Sequence, residues 1–154
     1  MPRQLHTAVP GAILLSLLPS FLYALLRFSI GVALPEIASE FLLDSGEAGA
    51  LVSASLAAAT ASTGVAGYLS DRVDEKWVMT TGTLLYSIGL LGMLAARGYE
   101  MFVALIILNG LGGGLMLPPT YSVVGRLAPR SRGVATGAIS GTYNIGGFVG
   151  PVLT

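Results

Sequence analysis

Long apolar runs, each cut off by a short charged stretch, set the organisation of the chain. Windows without a charged residue cover 48–70, 77–96, 101–125 and 133–154, and a further window over about 11–35 is interrupted only by Arg27. Each is at least as long as the ~20 residues an α-helix needs to cross ~30 Å of hydrocarbon. The pattern predicts an all-α, polytopic transmembrane helix bundle forming one membrane domain over 1–154. Its helices are expected at approximately 11–35, 48–70, 77–96, 101–125 and 133–154. The first window is too long for a secretory signal peptide, and no small-residue cleavage pattern follows it.

The polar residues inside these windows are ordered. Ser16, Ser20, Tyr23 and Arg27 are spaced i, i+4, i+7, i+11, which places them in one stripe on a helix. Arg27 lies about eight residues, or ~12 Å, from the outer end of the first window. A cation at that depth faces a solute or ion pathway, snorkels outward, or pairs with a carboxylate from outside the chain. Asn109, Tyr143 and Asn144 either extend the same pathway or hydrogen-bond between helices.

Small residues are as ordered as the polar ones. The second window carries SASLAAATASTGVAG at 53–67, and the fifth carries Gly133, Gly137 and Gly141 at four-residue spacing, followed by Gly146 and Gly150. Such spacing lets helix backbones approach closely where no hydrophobic drive is available. Pro19, Pro118, Pro119 and Pro151 lie in or near the windows, where each deletes a backbone hydrogen bond and favours a kink.

Composition agrees with a membrane protein. Of 154 residues 53% are hydrophobic and 10% charged, with mean hydropathy +0.77, whereas about a quarter of the residues of a soluble domain are charged. Net charge is zero, so no nucleic-acid partner is suggested, and the absence of cysteine leaves no disulfide or thiolate metal site. No cofactor or metal is implied. The only histidine is His6, outside the windows, and the chain has no G-x-S-x-G, no HExxH and no intramembrane carboxylate pair. An enzyme is therefore not expected.

Orientation follows from the basic residues. Arg3, Arg72, Lys76, Arg126, Arg130 and Arg132 fall on one side of a five-helix bundle and Arg97 alone on the other. Cytoplasmic loops collect positive charge, so the N-terminus is expected inside. The connection after the first helix, with Glu36, Glu40, Asp44 and Glu47, is then external.

The stretch GYLSDRVDEKW at 67–77 concentrates charge between the second and third helices. Gly67, Leu69, Asp71, Arg72 and Lys76 in it resemble the signature loop of the major facilitator superfamily, approximately G-x-L-x-D-R-x-G-R-[RK]. VALPEIASEF at 32–41, NGLGGGLMLPP at 109–119 and GGFVGP at 146–151 are similar, in the same order, to the family's first, fourth and fifth helices. The last resembles a motif of drug and proton antiporters. The chain departs from the loop pattern at Asp74 and Glu75, and has Ile106 where the fourth-helix pattern carries an arginine.

The resemblance implies a partial N-terminal half of a major facilitator fold, about five of its twelve helices. It implies secondary active transport of a small solute by alternating access, as part of a longer chain in the inner cell membrane. The solute is expected to be anionic or drug-like, with proton coupling open, and the remaining partners are the lipid bilayer and the missing C-terminal half. Substrate contacts are expected at Ser20, Tyr23, Arg27, Asn109, Tyr143 and Asn144. A cytoplasmic gate is implied at Gly67, Leu69, Asp71, Arg72, Lys76 and Arg126, and helix packing or kinking at Gly137, Gly141, Gly146, Gly150 and Pro151. The alternative is a non-transporting membrane scaffold or oligomerising bundle, which a native stop directly after Thr154 would favour.

Overall fold

The computed structural model describes residues 5–129 and 131–153, with side chains from residue 17 onward except Pro19. Ser16 and Pro19 as side chains, and Arg3 and Arg130 altogether, lie outside the described residues. Among those described the chain is helical: α1 (Leu5–Glu40), α2 (Ser45–Ser70), α3 (Glu75–Met93), α4 (Tyr99–Leu127) and α5 (Arg132–Leu153). Among the described residues three stretches are long and apolar enough to cross a membrane, Ser20–Glu40, Ser45–Ser70 and Tyr99–Leu127. The first runs past Pro35 because its exposed acidic last turns, with Glu36 and Glu40, are helical too.

Local chemistry sets the helix ends. Asp44 caps α2 in a reciprocal box: its Oδ1 accepts from the Glu47 N–H at 2.8 Å, and Glu47 Oε2 accepts from the Asp44 N–H at 3.0 Å. Such a cap is worth about 1 kcal/mol. Asp74 caps α3 by accepting from the Lys76 N–H at 3.0 Å. α1 closes with the Leu43 N–H donating to the Ala38 carbonyl at 2.8 Å, a six-to-one bond that puts Leu42 in the left-handed region at φ 54°.

The chain forms two compact units, Met1–Ala33 with Thr120–Thr154, and Leu34–Pro119. In the second unit, glycines of α4 admit both neighbours. A Cβ on Gly110 would meet the Ser55 carbonyl of α2, and one on Gly114 the Ala59 carbonyl and Ser62 hydroxyl. A Cβ on Gly112 would instead meet the Tyr86 N–H and Gly82 carbonyl of α3. At ~100° per residue Gly110 and Gly114 share a face and Gly112 lies opposite, so one Gly-rich turn seats two helices. Asn109, 2% exposed, adds a hydrogen bond from its amide to the Tyr86 carbonyl at 3.1 Å.

In the first unit, α5 lies against α1 through Gly146, Gly147 and Gly150. A Cβ at these positions would meet, respectively, the Phe21 carbonyl and Ala24, the Phe28 ring, and the Leu25 carbonyl and Ser29. Val124 of α4 and Ala128, directly after it, pack with Ala135 and Ile139 of α5, flanked by Leu17 and Tyr121. The sequence placed a close-packing seam at Gly137 and Gly141 as well. In the structure both are exposed and open space surrounds them, as at Gly133. They point away from α1 because four-residue spacing fixes a face without fixing which helix covers it.

Several hydroxyls within the helices are satisfied by their own backbone, the local bonding open to Ser and Thr in an apolar surrounding, whereas the buried Ser70 Oγ at the end of α2 has no partner among the described residues. Thr60, Thr80, Thr83 and Thr136 each donate to the carbonyl four residues back, at 2.8–2.9 Å. Thr63 does the same to Ala59 at 2.8 Å and also reaches the Gly114 carbonyl of α4 at 3.4 Å.

Candidate functional site

The glycine seam between α1 and α5 brings Tyr23, in the polar stripe of α1, to Tyr143. The Tyr23 and Tyr143 ring centroids are 6.0 Å apart and tilted by 37°, and Phe28 meets Tyr143 edge-on at 6.0 Å. Tyr23 is 5% exposed, and Arg27 follows it one turn further along α1. Arg27 is half-buried, and Ser20, two turns before it, is buried. Across the same unit Tyr121 and Ser140 share a hydrogen bond at 3.0 Å.

This unit holds no carboxylate at all. Residues 1–33 and 120–154 contain Arg3, Arg27, Arg126, Arg130 and Arg132, without Asp or Glu. A guanidinium in hydrocarbon without a counter-charge is costly, and Tyr23 offers it a dipole only. What the arrangement can do chemically is bind an oxyanion: a fork of N–H donors beside phenol groups, against aromatic surface.

The other proposed contacts fall elsewhere. Asn144 is exposed and donates to the Ser140 carbonyl of its own helix at 2.8 Å. Asn109 belongs to the other unit, and its amide is engaged with α3. Its buried bond joins helices instead of facing a solute.

The charged turn after α2 is ordered by its backbone. Asp71 is the C-cap of α2, and the Leu69 carbonyl accepts from the N–H groups of Arg72 and Val73, both at 2.9 Å. Gly67 and Leu69 are half-buried in the last turns of α2. Arg72 lies over the Tyr68 ring at 4.3 Å and Lys76 over Trp77 at 5.2 Å. Asp71 is exposed and, among the described residues, makes no ion pair with either cation. Arg126, in the last turn of α4, belongs to the other unit.

Two features of this turn were missed in the sequence. Asp74, read as a departure from the loop pattern, is the N-cap of α3, and Glu75 is buried at that helix's first position. An Asp directly before a helical window is a start signal that was legible. The stacking of Arg72 and Lys76 on neighbouring aromatics was legible only once the turn geometry was known.

The family model described as Major Facilitator Superfamily matches residues 17–154. Among curated proteins, the chain is 29% identical over 133 residues to a phosphoglycerate transporter protein of Salmonella typhimurium, covering 85% of this chain and 29% of the relative. It is 35% identical over 89 residues to an uncharacterized MFS-type transporter of Mycobacterium tuberculosis, covering 57% of this chain and 15% of the relative. It is 31% identical over 88 residues to a putative multidrug resistance protein of Yersinia enterocolitica, covering 56% of this chain and 19% of the relative. The chain thus spans less than a third of the length of each of these relatives. No solved structure matches it. With the glycine-seated helices, the charged turn at 67–77 and a family match over nearly all of its length, the chain belongs to the Major Facilitator Superfamily.

Proposed function

We propose that this chain is the first part of a secondary active transporter that carries a small solute across the inner cell membrane by alternating access. Its N-terminus is cytoplasmic, and α3 and α5 are spans alongside the three more apolar stretches. The relatives' names point to different solutes, a phosphoglycerate and drugs. The observation that carries our reading is Arg27: a cation within an apolar stretch long enough to span, one turn from Tyr23, in a unit without a carboxylate. An anionic solute supplies the missing charge. Proton coupling, where it operates, uses carboxylates near the helix ends, such as Glu36, Glu40, Glu47 and Glu100, or groups outside these residues, because no Asp or Glu lies in the interior of the apolar windows.

Asp71 is assigned to the cytoplasmic gate with Gly67, Leu69, Arg72, Lys76 and Arg126. As a carboxylate at a helix C-terminus it is unfavourably placed against the helix dipole, and a cation or helix N-terminus of the remaining chain relieves it when that side closes. Uptake by the complete native polypeptide in proteoliposomes tests both assignments. Arg27→Gln removes a charge-assisted contact of about 1.5–3 kcal/mol and lowers uptake of an anionic solute about ten- to hundredfold. Asp71→Asn lowers turnover while the amount inserted stays the same. Wild-type uptake by Arg27→Gln removes the residue from the pathway, and wild-type turnover by Asp71→Asn returns the turn to a topological role.

A non-transporting bundle that associates through the open Gly137 and Gly141 face is the second reading. Saturable uptake by the complete polypeptide excludes it.

A further inference from the structure

We propose that the turn between α4 and α5 holds the headgroup of an anionic phospholipid, with the Arg132 guanidinium on its phosphate. This goes beyond the transport reading and stands whether or not the protein carries a solute. Three observations carry it. The first is the place of Arg132. Its guanidinium lies on Gly125 in the last turn of α4, so closely that a Cβ at Gly125 would stand 2.9 Å from its Nε and 3.4 Å from its Cζ. A glycine leaves room for that approach. The free carbonyls of a helix C-terminus favour a cation there. Among the described residues, however, the guanidinium makes no hydrogen bond or ion pair, and Arg132 is exposed. Its fork of N–H donors is open to an oxyanion.

The second is charge. Arg126, directly after Gly125 in the chain, is exposed as well, and Arg130 adds a third positive charge in the sequence of this turn. No Asp or Glu follows Glu100 anywhere up to Thr154. The turn at 67–77 is the contrast: three carboxylates accompany its two cations, which lie over Tyr68 and Trp77. Of the two turns, the one after α4 has positive charge without compensation, and such a patch draws phosphate groups.

The third is depth, which favours a lipid over a soluble anion. Val134, two residues or ~3 Å along α5 from Arg132, is already 77% exposed. An exposed apolar side chain within one turn of the cation marks the level where hydrocarbon begins, so the guanidinium stands at the level of the phosphates. In the orientation proposed above, that is the cytoplasmic leaflet. The backbone beneath is firm: Val124 and Ala128 pack with Ala135 and Ile139, and the Ser131 N–H donates to the Ala128 carbonyl at 3.1 Å. Binding a headgroup therefore has little backbone left to order.

The test uses the complete native polypeptide, purified and delipidated in dodecylmaltoside. Its thermal unfolding is followed while dioleoylphosphatidylglycerol, dioleoylphosphatidylcholine or inorganic phosphate is added. Phosphatidylglycerol is expected to raise the midpoint saturably, and the other two to leave it unchanged at the same concentration. Arg132→Gln weakens the apparent affinity for phosphatidylglycerol about fivefold, and Arg132→Lys, which keeps the charge and loses the fork, weakens it less. Gly125→Ala keeps every charge but displaces the guanidinium from α4, and it weakens the affinity by a smaller factor than Arg132→Gln. Arg97→Gln, in the connection between α3 and α4, leaves it unchanged.

Unaltered affinity in Arg132→Gln overturns the site, and so does an equal loss in Arg97→Gln, which would mean attraction to positive charge at large. Unaltered affinity in Gly125→Ala overturns the seating of the guanidinium on α4. A midpoint raised equally by inorganic phosphate overturns the lipid as the source of the anion. No shift with phosphatidylglycerol overturns the proposal. If Arg132→Gln then lowers the midpoint without any lipid, the arginine is paired with an acidic segment of the remaining chain instead. None of these outcomes depends on uptake, so each is distinct from a failure of the transport reading.

Discussion

Leu42 occupies a backbone position that its side chain opposes. It is the left-handed residue that closes α1, at φ 54°, and it is 90% exposed. An L-residue pays about 1–2 kcal/mol for that conformation, which glycine does not. Because the side chain packs against little, Leu42→Gly is expected to stabilise the protein by about 1 kcal/mol, read as a higher denaturation midpoint in detergent. A lower midpoint would mean that the exposed leucine is held by something it contacts in the membrane. The same scale shows what the sequence discloses. The α1 stripe was legible because Ser20, Tyr23 and Arg27 repeat at helical spacing, whereas the end of α1 was not, since Leu at 42 carries none of the glycine signal that usually marks such a turn. Tyr143 was visible as a polar residue in a span, but its place beside Tyr23 depends on how α1 and α5 are in register, and periodicity within one helix holds no such information.

Between elements, glycines do unlike things that their spacing does not distinguish. Gly112 is enclosed by the Tyr86 N–H and the Gly82 carbonyl, while Gly137 faces open space. A methyl group at Gly112 must push α3 from α4, and overpacking of this kind costs about 1–3 kcal/mol. The same methyl at Gly137 meets nothing and improves helix propensity by up to about 1 kcal/mol. Gly112→Ala is therefore expected to lower the denaturation midpoint, and Gly137→Ala to leave it equal or raise it. If Gly137→Ala is the more damaging variant in the complete polypeptide, another helix of the longer chain lies against that face. The sequence disclosed that close packing occurs and roughly where, from the density of small residues in α2, α4 and α5. It did not disclose that Gly110 and Gly114 seat α2 while Gly112 seats α3, because that follows from three helices meeting around one turn.

Across the whole chain, the neutral total conceals complete segregation of acidic charge. All eight Asp and Glu residues lie in Leu34–Pro119, which has three basic residues and so a net charge of 3 − 8 = −5, and the other unit carries five arginines and no acid. Overall neutrality thus says little about what any one part of the protein attracts. For topology, only the basic residues near span ends count, and acidic ones contribute little. In the orientation proposed above, with the N-terminus inside, Arg72, Lys76, Arg126 and Arg132 are expected on the cytoplasmic side. The absence of cysteine from these 154 residues makes the arrangement directly measurable. Ser45 and Ser131 are both exposed, one at the start of α2 and the other just before α5. In the complete polypeptide, with any cysteine outside these residues replaced, Ser45→Cys is expected to react with a membrane-impermeant maleimide in intact cells. Ser131→Cys should react only after the membrane is opened. The reverse pattern would place Asp71 and Arg126 outside the cell, and a gate on the cytoplasmic side would then have to be built from residues other than these.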